Sequence, residues 1–318
     1  MTTADRPAEI VWHRPLLWLA AAMAALAVFA TVAALVDARV VTGADVWLKP
    51  LKFALSVGIY SLTLSWLIGQ LARGGKLRRV AWAAGAVSVL GLVIEMVIIV
   101  GVAATGESSH FNVSTPFHTA LWAVMAFSIV VVWMMTLVVS IALFRNPLGD
   151  RARTIAIRAG AVLAIVGMGL AFLMTGPTAA QLDDYQGIVG AHTVGVADGG
   201  PGLPILGWST VAGDLRIPHF IGMHALQVLP IMVVVLELLS ARLPRFRSEA
   251  VRFRLAAIAT ATYAVALVLV TVQSLAGQSI VQPSGAILAA GIVVAAAAVI
   301  AAVLAVVVPV PSKVAIRA

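Results

Sequence analysis

Six histidines punctuate this chain of 318 residues. Five of them, His110, His118, His192, His219 and His224, fall in or beside the polar segments that follow its third and fifth long apolar runs. Histidine is the commonest metal ligand and the side chain that exchanges protons near neutral pH. Carboxylates share these stretches, with Glu107 shortly before His110 and Asp214 shortly before His219. The chain has no cysteine, and an oxygen- and imidazole-rich site without sulfur suits Zn, Mn, Fe or Cu. His110, His219, His224 and His118 are therefore candidate ligands for a divalent metal, with Glu95, Glu107 or Asp214 as ligand or general base. A haem between His118 and His224 is the redox alternative. The plainer reading makes all of them hydrogen-bonding anchors at helix ends. His219 and His224 are five residues apart, which turns them about 140° from one another on a helix. They converge only if His219 lies in the turn before the helix, whereas His224 and Gln227 share a face.

Glu95 stands alone inside an apolar run. A carboxylate at membrane depth costs several kcal/mol unless it is paired, protonated or facing water, so function is its default reading. Lys49, Lys52 or His224 of a neighbouring helix are its possible partners. Lys49 and Lys52 flank Pro50 at the start of the second apolar run, and proline suits the first turn of a helix. Arg216 follows Asp214 by two residues, as a local ion pair or a substrate clamp. Lys49, Lys52, Arg216 and Gln227 are the candidate substrate-binding residues, a set fit for an anionic molecule or a lipid phosphate. Glu237 reads as a side chain that snorkels to the interface. The phosphate-loop, H-E-x-x-H, G-x-S-x-G and C-x-x-C-H signatures are all missing.

The elements that must position these residues follow from composition. The chain is 62% hydrophobic and 11% charged, and its mean hydropathy is +1.05. Soluble domains carry about 25% charged residues, so water is not its main solvent. A span needs roughly 20 apolar residues. Runs of that kind predict helices over 16–36, 53–71, 80–104, 119–144, 159–175, 220–239, 255–276 and 285–308. The fold class is thus all-α, a polytopic transmembrane bundle of about eight helices forming one domain over 1–318. The first run is too long for the apolar stretch of a signal peptide and reads as a retained helix. Residues 176–218, rich in Gly and carrying Asp183, Asp184, His192, Asp198, Asp214 and Arg216, predict a folded extracytoplasmic cap loop.

Charge sets the orientation. With the N-terminus inside, 17 of the 21 Lys and Arg fall in cytoplasmic segments, among them Arg6, Arg14, Arg73, Lys313 and Arg317. Only Arg39, Lys49, Lys52 and Arg216 fall outside. Insertion favours that sense. Both termini are expected in the cytoplasm, in a bacterial inner membrane. The net charge of +8 belongs to loops that touch anionic lipid headgroups and needs no nucleic acid. The bilayer is the first partner, an anionic or lipidic small molecule the second.

Four motifs stand out: Lys-Pro-Leu-Lys-Phe at 49–53, Glu-Ser-Ser-His-Phe-Asn at 107–112, Asp-Gly-Gly-Pro-Gly-Leu-Pro at 198–204 and Gly-Asp-Leu-Arg-Ile-Pro-His-Phe-Ile-Gly-Met-His-Ala-Leu-Gln at 213–227. Together they resemble a family of uncharacterised bacterial multi-spanning membrane proteins. The resemblance covers about residues 45–230 and implies the architecture without an activity. Four expectations follow for function. They are a metal-dependent membrane enzyme acting on a lipidic or membrane-proximal substrate, a haem or copper redox protein, a proton- or cation-coupled transporter, and an outward sensor. No internal repeat is evident to favour the inverted-repeat transporters, and the far half of the helices offers few ionisable groups.

Overall fold

Leucine, alanine and valine dominate the long runs, so each forms a helix whose backbone polar groups are satisfied internally, as hydrocarbon demands. The computed structural model describes residues 11–41, 43–72 and 74–309. Arg6, Arg73, Lys313 and Arg317, used above for orientation, lie outside them. Among the described residues, eight helices are long and apolar enough to cross a membrane, and the chain is a multi-pass membrane protein. They are α1 (Arg14–Val36), α2 (Leu48–Gly69), α3 (Lys76–Thr105), α4 (Pro116–Phe144), α5 (Arg151–Gly169), α7 (Arg216–Leu239), α8 (Glu249–Leu275) and α9 (Gly285–Val307). A five-residue α6 (Ala179–Asp183) lies in the segment between α5 and α7.

The boundaries differ from the hydropathy runs mainly at polar ends. α2 begins at Leu48 rather than Phe53, which puts Lys49 and Lys52 inside its first turns. α5 begins at Arg151 rather than Ala159 because Asp150 caps it, accepting from the Arg153 amide at 2.8 Å. Charged first turns carry no hydrophobic signal, yet they hydrogen-bond as helix. Thr115 caps α4 likewise, with Pro116 at its first position.

Consecutive helices pack side by side from α1 to α5, around a core that includes Leu64, Met96, Met125 and Ile157. A second core joins α5, α7 and α8 through Ala156, Leu229 and Ala256. Between α5 and α7 the backbones touch. A Cβ built on Gly167 would sit 2.3 Å from the Gly222 carbonyl carbon, and one on Gly160 2.7 Å from the Ala225 oxygen. α9 lies against α8 and buries only Ala305, so its Ala- and Val-rich surface is left to lipid.

The α1–α2, α3–α4 and α5–α7 connections meet at one end of the bundle, called here the cap end. The arginine-rich connections lie at the other, the basic end. The cap segment carries two short strands, β3 (Thr193–Val194) and β4 (Gly213–Asp214), paired antiparallel. Single bridges join Asn112 to Ile188 and Gly202 to Ser209. A smaller hairpin, β1 (Val40–Val41) with β2 (Ala44–Asp45), follows α1. The Ser274 hydroxyl donates to the Asp214 carbonyl at 2.9 Å and ties this end to α8.

Candidate functional site

Glu95 sits on the buried face of α3 with 1% exposure. Its Oε1 lies 3.6 Å from His110 Nε2, while Oε2 is buried with no hydrogen-bond partner. His110 is carried to it by the turn after α3, which Gly106 opens in a left-handed conformation (φ 81°). The same turn puts Phe111 at φ 66°, a value uncommon outside glycine. The imidazole is walled by Phe53 of α2 and Trp122 of α4, with ring centroids 5.5 and 5.3 Å away. Ser109 Oγ stands 3.1 Å from its Nδ1. Burial, then the nearby Lys49 and His192, press the His110 pKa well below its ordinary value. At neutral pH it is an uncharged base beside a carboxyl group.

Lys49 lies close enough to interact electrostatically with Glu95, Lys52, Arg216 and Asp198. No salt bridge among the described residues includes it. One turn along α2, Lys52 donates to the Leu206 carbonyl at 3.0 Å. Arg216 donates to the next carbonyl, that of Gly207. The two cations thus converge on two successive carbonyls of the cap. A Cβ on Gly207 would lie 3.7 Å from Lys52 Nζ and 3.8 Å from an Arg216 nitrogen. Ile205, just before it, has φ 62°, a strained value for a β-branched side chain.

Two of the cap carboxylates, Asp214 and Asp198, are fully engaged. Asp214 is wholly buried and accepts from the Ser209 amide at 2.8 Å, the Arg216 amide at 3.0 Å and the Arg216 guanidinium. Asp198 accepts from the Thr193 amide and hydroxyl and from His192 Nδ1, the last at 2.6 Å. Burial works against its ionisation, but the His192 and Thr193 hydrogen bonds hold the Asp198 carboxyl well below the usual carboxylate range. Burial likewise lowers the pKa of His192, outweighing the pull of Asp198. His192 is then a neutral donor through Nδ1.

The four candidate metal ligands are dispersed. His118 is occupied on both nitrogens, by Thr115 at 2.8 Å and by Glu107 at 2.6 Å, which leaves neither free for a metal or haem. Glu107 is the half-exposed partner in that pair. His219 lies in the first turn of α7, not before it, so it faces away from His224 as the 140° rotation requires. Its Nδ1 donates to the Gly167 carbonyl of α5 at 2.8 Å. His224 Nδ1 meets Gln227 Oε1 at 3.2 Å, and its Nε2 is buried without a partner. Among the described residues no three His, Asp or Glu side chains gather closely enough to hold a metal ion. The expected ligand set of His110, His118, His219 and His224 is thus not assembled here, because helix rotation and capping give each imidazole its own partner.

The structure brings together Lys49, Lys52, Glu95, His110, His192, Asp198, Asp214 and Arg216, and leaves Glu107, His118 and Gln227 apart. Sequence reasoning missed the aromatic walls Phe53, Phe111 and Trp122. It also missed a polar pair inside the span, Tyr60 with its hydroxyl 2.6 Å from Thr136 Oγ1. Aromatic and hydroxyl side chains in apolar runs give no signal of their own. His192 and Asp198 stood in the cap without a role, though their spacing across a Gly-rich turn could have paired them. Comparison with family models, curated proteins and solved structures finds no match.

Proposed function

We propose that the cap end binds an anionic group of a lipidic or membrane-proximal molecule, and that Glu95 and His110 exchange a proton with it. The observation that carries this reading is the placement of the cations. Lys52 and Arg216 hold two consecutive cap carbonyls, Leu206 and Gly207, while Lys49, near both cations and Glu95, enters no salt bridge among the described residues. The oxygens of a phosphate or carboxylate would replace those carbonyls and engage Lys49 as well, with charge-assisted bonds stronger than the neutral ones lost. The segment 203–208, strained at Ile205, is the latch that such a ligand displaces. Glu95 and neutral His110 then stand beside the bound group as acid and base, which is the ordinary equipment of proton transfer. Asp214 and Asp198 are structural in this account: one fixes Arg216, the other fixes His192 and the cap.

The positive-inside bias supports a position for this end outside the cytoplasm of a bacterial inner membrane. Acid–base chemistry by Glu95 and His110 replaces the metal-assisted version, for which the histidines are too dispersed. A second reading, proton-coupled passage, is favoured by one observation. Ser88, two turns below Glu95 on α3, lies beside the buried Tyr60–Thr136 pair, which extends polar groups into the span.

The test is a thermal-unfolding panel on the full chain in nanodiscs, with glycerol 1-phosphate, dihexanoyl phosphatidic acid and dihexanoyl phosphatidylcholine. The anionic probes should stabilise the wild type more than they stabilise Lys49→Gln. Equal response to all three, or an unchanged response in Lys49→Gln, would overturn the reading. Proton flux in proteoliposomes that disappears in Glu95→Gln would favour passage instead.

A further inference from the structure

At the basic end, far from the capped site, Arg153 is paired with Glu237 and Arg252 with Asp150. Arg145, Arg151 and Arg158 enter no salt bridge among the described residues. Glu249 accepts from the Arg151 backbone amide at 3.2 Å and not from its guanidinium. Instead the Arg151 guanidinium stands over the Phe253 ring of α8 at 4.2 Å. Arg158 hydrogen-bonds the Phe144 and Asn146 carbonyls at the end of α4, and its Nε is buried without a partner.

These cations rim a groove of about 630 Å³ between α4, α5 and α8, whose floor includes Ile155, Ala159, Leu163 and Ala264. Thr260 also lines it, with a buried hydroxyl that has no partner. A second groove of about 320 Å³ runs between α4 and α5, past Leu137, Ile141 and Ile165, with Arg145 at its mouth. Phe144 and Val162 line both grooves, so together they form the ridge that separates them. Two adjoining apolar slots that share Phe144 and Val162, under guanidinium groups that enter no salt bridge among the described residues, match the shape and charge of one molecule class. Arginine takes phosphate oxygens through its planar fork of donors, and basic pockets between helices on the cytoplasmic side hold anionic headgroups.

We propose that this face seats one anionic diacyl phospholipid, its phosphate on Arg151 and Arg158 with Arg145 beside it, and its two acyl chains on either side of the Phe144–Val162 ridge. The lipid fills the seam where α8 meets α5, so it fastens the α8–α9 pair, which has little buried surface of its own, to the rest of the bundle.

Native mass spectrometry on delipidated full-length protein tests this. The probes are dioleoyl phosphatidylglycerol, dioleoyl phosphatidylcholine and inorganic phosphate. The wild type should retain one phosphatidylglycerol in preference to phosphatidylcholine and to phosphate. Arg151→Gln, which removes an exposed side chain without burying anything new, should cut that preference roughly fivefold, and Arg145→Gln/Arg151→Gln/Arg158→Gln should abolish it. Val162→Trp, which fills both slots, should lower retention of both lipids. Arg39→Gln, an exposed cation at the other end, should change nothing. Equal retention of the two lipids by the wild type would overturn the proposal. So would phosphate retained as well as lipid, or lipid binding indifferent to Val162→Trp or lost in Arg39→Gln.

Discussion

Lys49 and Glu95 face each other across the α2–α3 interface without a hydrogen bond between them, while Asp198 and Asp214 at the cap end have their partners. Replacing either should therefore affect ligand more than fold. Lys49→Gln is expected to weaken an anionic ligand at least about tenfold, the weight of one charge-assisted hydrogen bond, with the unfolding midpoint nearly unchanged. Asp214 is the opposite case. It is fully buried and holds Arg216, so Asp214→Ala leaves a buried cation uncompensated and should cost about 3 kcal/mol, read by thermal or denaturant unfolding. His110 and His192 supply the pH dependence. Both bind protons more weakly in the folded chain than at their ordinary value of 6.5. Below that value the unfolded chain takes up protons that the folded chain refuses, so stability falls as pH drops from about 6.5 toward 5, by up to about 1.4 kcal/mol per pH unit for each imidazole. Asp198 adds a loss of the same sign only below its ordinary 3.8. Glu95 of α3 and Lys49 of α2 also face His110. The slope is therefore best compared between the wild type and His110→Asn in a Glu95→Gln background. A slope that survives in His110→Asn/His192→Asn would locate the titration elsewhere.

Two elements carry predictions of their own. α5 and α7 meet backbone to backbone at Gly167 and Gly222, where a methyl group has nowhere to go. Gly222→Ala should force the helices apart and cost about 1–3 kcal/mol, whereas Gly101→Ala on α3, with open space around it, should be neutral or stabilising. In the latch, Ile205 is held at a positive φ. Ile205→Gly should relieve about 1–2 kcal/mol of strain, raising the unfolding midpoint while weakening the ligand that must open the latch. These elements also show what the sequence could disclose. Eight apolar runs announced eight helices, because hydrocarbon permits little else. Their charged starts, at Leu48–Lys52 and Arg151–Arg158, were invisible to hydropathy; the second is set by the Asp150 cap, while the first holds Pro50, which suits a first turn. Glu95 was legible because an acid in a span demands an explanation. The pairing of His110 with it was not legible, because the turn at Gly106 and Phe111 decides where that imidazole points. Histidine composition pointed to one metal cluster, but helix rotation and caps parted His118, His219 and His224.

At the scale of the molecule, cations concentrate at one end and a folded cap closes the other. The basic end is proposed to sit in the cytoplasmic leaflet, with the charged site on the far side under its latch. The chain has no native cysteine, so single cysteines report directly. Tyr185→Cys in the cap should react with an impermeant maleimide in intact cells, and Arg242→Cys only after the membrane is broken. The account stands most directly on ligand binding at the capped end. The measurement is an isothermal titration of glycerol 1-phosphate into the full chain, beside Lys49→Gln, Lys52→Gln and Arg145→Gln. One saturable site per chain is predicted, weakened about tenfold or more by either lysine change and untouched by Arg145→Gln. Binding of equal strength in the wild type and Lys49→Gln would contradict it.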